Sequence, residues 1–122
     1  MRPALVLVAH GSRDPDWMVP LQAIAARAQA LRPDLDVTLS FLELSPPAPD
    51  EVVRTAAGAG LAKLYLAPLF LGQGAHARRD MTQLVERLKR EYPALQIRLL
   101  PAIGEYEAVL DAIATALTAA AR

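Results

Sequence analysis

The sequence contains no cysteine, which excludes disulfides, cysteine-ligated zinc and thiol catalysis. It also lacks an excess of either charge. The 13 basic and 13 acidic side chains give a formal net charge of +0, so there is no long-range attraction to nucleic acid or to an anionic membrane. Nucleic acid is not expected as a partner. No apolar run reaches the length of a membrane span. Met1-Arg2-Pro3 leads into a short apolar stretch, Ala4 to Ala9, with no signal-peptide cleavage region. A cytoplasmic protein with no membrane partner is the expectation. Aromatic residues are scarce at 5%, although 53% of the chain belongs to the hydrophobic set, so Leu, Val, Ile and Ala must fill the core. At 122 residues a single domain, 1–122, can bury about two thirds of its unfolded surface without a staple.

What the chain does have is alternation. Four apolar runs of strand length, Ala4 to Ala9, Val37 to Leu42, Ala62 to Ala67 and Gln96 to Leu100, are each followed by a loop and a stretch of helical periodicity. Met18, Leu21, Ile24, Ala25, Ala28 and Leu31 mark the first helix, which Arg32-Pro33 stops. Pro49, Asp50 and Glu51 open the second, and Gly58 and Gly60 end it. Met81, Leu84, Val85, Leu88 and Tyr92 share a face of the third, which cannot continue through Pro93. The fourth starts near Gly104 and aligns Tyr106, Val109, Leu110, Ile113 and Leu117. Strands that are apolar throughout, alternating with helices, predict an α/β fold: a three-layer αβα sandwich around a parallel four-stranded sheet. Right-handed crossovers favour the strand order 2-1-3-4, a flavodoxin-like arrangement without its last strand. That order opens a crevice at the carboxyl ends of strands 1 and 3, where open α/β sheets bind ligands.

The two histidines of the chain, His10 and His76, fall in the loops just beyond strands 1 and 3, and Glu43 ends the Phe41-Leu42-Glu43 stretch beyond strand 2. Two imidazoles and a carboxylate at one sheet edge suit a first-row divalent metal and leave positions open for substrate or water. Taken singly, a loop histidine is commonly a surface or capping residue, and Glu43 alone reads as solvated. The loop from Pro68 to His76 is unusually apolar. Leu69, Phe70 and Leu71 either complete the core or form a wall against a flat organic ligand. Arg78 and Arg79 stand near the start of the third helix, where the helix dipole opposes positive charge; they either await an anion or are balanced by Asp80. Arg13 adds a third guanidinium to that rim. Ser12 is close to His10 in sequence, but no nucleophile elbow and no phosphate-binding fingerprint is present.

Three stretches, Leu5-Val6-Leu7-Val8-Ala9-His10-Gly11-Ser12-Arg13-Asp14-Pro15, Phe41-Leu42-Glu43 and Pro68-Leu69-Phe70-Leu71-Gly72-Gln73-Gly74-Ala75-His76-Ala77-Arg78-Arg79-Asp80, resemble the CbiX-type sirohydrochlorin chelatases in order and spacing. The resemblance implies a chelatase-like fold. It also implies a lyase that inserts cobalt, iron or nickel as the divalent ion, cobalt(II) foremost, into a reduced tetrapyrrole for cobalamin or sirohaem. By it, His10 and His76 are the catalytic and metal-binding histidines and Glu43 a metal-binding carboxylate. Ser12, Arg13, Leu69, Phe70, Arg78 and Arg79 are then expected to hold the ring and its acidic side groups. No organic cofactor is expected. After Glu43 the chain departs from the family pattern, reading Leu44-Ser45-Pro46-Pro47-Ala48-Pro49. Many members are also about twice this length, with two facing domains, so a homodimer is expected here. A metal or tetrapyrrole carrier with the same cleft is the alternative.

Overall fold

Among the described residues, 2–122 of this computed structural model, the apolar runs form four parallel strands: β1 (Ala4–Ala9), β2 (Asp36–Phe41), β3 (Lys63–Pro68) and β4 (Gln96–Leu99). The order is β2-β1-β3-β4, as the crossover rule requires. β1 matches its expected limits, while β2 begins and ends one residue earlier than expected and β3 one residue later. The helices are α1 (Pro15–Leu31), α2 (Pro49–Gly58), α3 (Ala75–Glu91) and α4 (Glu107–Ala120), with a 3-10 turn at Ile103–Glu105 before the last.

Local chemistry sets these limits. The Asp14 carboxylate accepts the Asp16 N–H at 2.9 Å and caps α1, with Pro15 in the first turn. At the far end of α1 the Gln29 amide donates to the Leu35 carbonyl at 2.7 Å and accepts the Val37 N–H at 3.0 Å, fastening the helix to the start of β2. Between β2 and β3, α2 crosses over one face of the sheet, where Val53 meets Val6 and Val8 of β1 and Leu64 and Leu66 of β3. From α3, Met81, Val85 and Leu88 complete this layer. Its core is closed, since Val6, Val8, Val53, Leu64, Leu66 and Leu88 are wholly inaccessible. The opposite face has only α1 for cover, with Trp17 tilted over Phe41. No residue of α1 or α4 is fully buried.

Two findings differ from the expectations. α3 starts at Ala75, so His76 lies in the first turn of a helix rather than in the loop before it. Gly74 is the N-cap and offers no side chain for capping, which is why the usual start signal is missing from the sequence. The expected apolar stripe of α4 forms, yet it faces solvent.

α2 and α3 are also joined electrostatically. Arg87 donates to both Asp50 carboxylate oxygens, at 2.7 and 3.1 Å, and to Glu91 at 3.2 Å. These hydrogen bonds, with desolvation opposing them, hold the Asp50 carboxyl below the usual carboxylate range. A carboxyl depressed in the folded state stabilises the fold above its unfolded pKa, and the benefit disappears as the pH falls through its folded value. Both partners are roughly half exposed, so Asp50→Asn should cost about 0.5–1 kcal/mol at neutral pH. Urea midpoints of the parent and variant should therefore separate near neutrality and converge in acid.

Candidate functional site

The site grows from strand register. β1 pairs Val8 with Pro68 of β3 and Ala9 with Phe41 of β2. The ladders continue past the strand ends: Leu69 donates to Val8, Leu42 to Ala9 at 3.0 Å and Glu43 to His10 at 2.9 Å. His10 is thereby set opposite Phe70, and Gly11 opposite Glu43. The His10 imidazole stacks on the Phe70 ring with centroids 4.4 Å apart and planes inclined by 26°. Phe70 is 4% exposed and acts as a fixed floor, while His10 is open to solvent. Gly11 has φ +112°, and a Cβ there would lie 1.7 Å from the Glu43 carbonyl oxygen. Only glycine lets the two loops close on each other. The Ser45 hydroxyl completes the clasp, donating to the Ser12 carbonyl at 2.7 Å.

Above this floor lies a cavity of about 390 Å³ lined by His10, Leu42, Glu43, Phe70, Ala77, Asp80, Met81 and Leu84. It sits at the carboxyl edge of β1 and β3, where the strand order placed the crevice. His10, Glu43 and Phe70 are brought together there. Within the Leu69-Phe70-Leu71 run, Phe70 is buried, as the core reading expects, and it also lines the cavity. Leu69 is half-buried, and Leu71 points outward at 57% exposure. Ser12 serves its own loop, its hydroxyl accepting the Asp14 N–H at 3.1 Å.

The remaining expected residues surround the cavity rather than line it. His76 is exposed on the first turn of α3, one residue before Ala77 of the wall. Arg13 and Arg79 are exposed. Arg78 turns to an adjoining hollow of about 330 Å³, 3.9 Å from Glu105. Among the described residues no group of three or more His, Asp or Glu side chains is close enough to hold a metal ion, so one copy presents His10 and Glu43 without His76 as a third ligand. The sequence reading missed the contributions of Leu42, Ala77, Asp80, Met81 and Leu84 to the wall. Ala77, Asp80, Met81 and Leu84 follow helical spacing, so extending the α3 periodicity back by one turn would have found Asp80.

The fold is thus a parallel α/β sheet whose switch point, the edge at which such sheets take ligands, carries a cavity lined by an exposed imidazole, a carboxylate and a buried aromatic ring. The CbiX family profile matches residues 4–120. A sirohydrochlorin cobaltochelatase of Methanopyrus kandleri is 35% identical over 67% of this chain and 57% of its own. The crystal structure of a CbiX protein from Marinobacter aquaeolei VT8 superposes with a TM-score of 0.82 at 30% identity, covering 95% of this chain and 94% of that one. The sirohydrochlorin chelatase SirB from Bacillus subtilis subspecies spizizenii, in complex with cobalt, superposes at TM-score 0.80 and 28% identity over 100% of this chain and 52% of its own. The chain belongs to the CbiX family. It spans about half the length of the curated relatives that it matches first. No helix among the described residues is long and apolar enough to cross a membrane.

Proposed function

We propose that this chain is a cytoplasmic, homodimeric sirohydrochlorin chelatase that inserts cobalt(II), or iron(II), into the macrocycle. The observation that carries this is one open cavity lined by His10, Glu43 and Phe70, with the His10 imidazole stacked on the Phe70 ring. Membership of the CbiX family supports it, as do relatives named sirohydrochlorin cobaltochelatase and ferrochelatase.

The chemistry asks for modest things. Metallation exchanges two pyrrole N–H protons for one divalent cation, so the protein must offer the ion, hold the ring and take up protons. His10 holds the ion through a neutral imidazole, which can accept one of the two protons once the ion has left, the other passing to solvent water. Glu43, which lines the same cavity, adds a hard donor and a negative charge. Two donors leave the other coordination positions to water and the incoming ring, which favours release over retention. Release separates a chelatase from a carrier. Leu42, Phe70 and Leu84 supply apolar surface for a flat ring, while Arg13, Arg78 and Arg79 wait for its peripheral carboxylates. His76 joins from the first turn of α3 once the ring and a second copy close the cavity.

Anaerobic absorbance of sirohydrochlorin with cobalt(II) tests this. With protein at a small fraction of the substrate, the free-base bands should give way to those of the metallated ring over many turnovers. A change limited to one equivalent of protein would mean a carrier, and no acceleration over the protein-free rate would refute both.

A further inference from the structure

Among the described residues, Leu44 is the one non-glycine residue with a positive φ, +66°. The hydrogen bonds around it impose this. Leu42 and Glu43 are held by the carbonyls of Ala9 and His10, the Phe41 N–H donates to the Pro47 carbonyl at 2.9 Å, and the Ser45 hydroxyl is fastened to the Ser12 carbonyl. The chain therefore reverses within three residues, the Ser45 N–H donating to the Glu43 carbonyl at 2.8 Å in a γ-turn centred on Leu44. With a positive central φ this is the rare, strained form of the turn, and leucine is less favourable in it than glycine. The side chain gives the fold no packing in return, since it is 55% exposed and takes no part in the core. Glycine would close the same turn without strain, so the use of a leucine here lies outside the fold.

Its position points to that use. Leu44 follows Glu43 directly, and the open space does not end at Glu43. Leu42 and Glu43, which line the cavity beside His10, also line a second, shallower hollow of about 490 Å³ to which Leu44, Ser45 and Pro46 contribute. A tetrapyrrole with its acid arms is larger than the first cavity of about 390 Å³, so a ring centred beside His10 must extend over the rim. On the Glu43 side that rim presents apolar surface to it, because Leu42 is 39% exposed as well. Resting on the chelatase reading above, we propose that Leu44 is a substrate contact: its side chain packs against the edge of the macrocycle where the ring passes over Glu43, and the strained turn holds it there. A contact of this kind is the same before and during metal insertion, so it acts on the affinity for the ring and not on the rate of the bound complex.

Leu44→Gly separates this contact from a role in the fold. Glycine relieves the turn, so the thermal midpoint should hold or rise. In anaerobic steady-state assays KM for sirohydrochlorin should rise about 5- to 20-fold, as expected when a partly buried leucine is lost from a complex, while KM for cobalt(II) and kcat stay within about twofold of the parent. Leu44→Met, similar in volume, should keep KM for the ring near the parent value. An unchanged KM for the ring in Leu44→Gly would overturn the contact, and a change in its mass by light scattering at that unchanged KM would show that another copy covers the leucine instead. A fall in the midpoint, or KM for the ring and for cobalt(II) rising together, would make Leu44 a brace of the loops and overturn it equally. A parent protein that neither binds nor metallates sirohydrochlorin would overturn the chelatase reading itself, and this inference with it, before any variant is compared.

Discussion

Replacing His10 with alanine should lower cobalt insertion by at least about 100-fold, the scale expected when a positioned proton acceptor is lost. The thermal midpoint should stay nearly unchanged. The imidazole is exposed, stacks on the Phe70 ring and makes no side-chain hydrogen bond among the described residues, so its removal leaves no buried group unsatisfied. A stacked pair of this kind contributes about 1 kcal/mol at most. Loss of activity without loss of stability separates a working imidazole from one that merely caps the floor. His76→Ala should behave in the same way, because His76 is exposed on the surface of α3 and supports no packing. Rates of metallation and circular dichroism melts on the same preparations check both. Retained turnover in either variant would remove that histidine from the chemistry.

Gly11→Ala should do the reverse, damaging the fold first and the activity through it. A positive φ costs an alanine about 1–2 kcal/mol. The larger effect is steric, since the new Cβ would lie 1.7 Å from the Glu43 carbonyl oxygen and the two loops must part to admit it. Parting them breaks the hydrogen bond from Glu43 to the His10 carbonyl and the one from Ser45 to the Ser12 carbonyl. The sum should exceed about 3 kcal/mol, which for a domain of this size lowers the midpoint by on the order of 10 °C or more. A variant that melts within a few degrees of the parent would show that the clasp between these loops is loose.

The strands and three of the helix positions were legible because their signals are local. A run such as Ala4 to Ala9 is short, apolar throughout and bounded by a turn, and strand order follows from crossover handedness once four βα units are counted. The sequence put His10 and Phe70 at the same sheet edge, beyond adjacent parallel strands, but did not show their stacking. Its closeness depends on register, which the sequence does not state. The position of His76 was obscured by Gly72-Gln73-Gly74, a stretch that reads as loop and contains no capping side chain, although Gly74 is the N-cap. Asp80 was read as a counter-charge to its arginine neighbours, whereas helical spacing carries it into the cavity wall. The stripe of α4 was plain in the sequence, but periodicity says only that a helix needs an apolar partner. Where the helix comes to lie depends on the turn at Ile103–Glu105, whose direction is set by tertiary contacts with Phe70 and Leu71.

The most direct measurement is an anomalous difference map at the cobalt edge from crystals of this protein soaked in cobalt(II) under reducing conditions. The strongest peak should lie within coordinating distance of the His10 imidazole, over the Phe70 ring and on the side facing Glu43. A principal peak elsewhere on the molecule, with none beside His10 in a preparation that metallates sirohydrochlorin, would contradict the placement of the chemistry in this cavity.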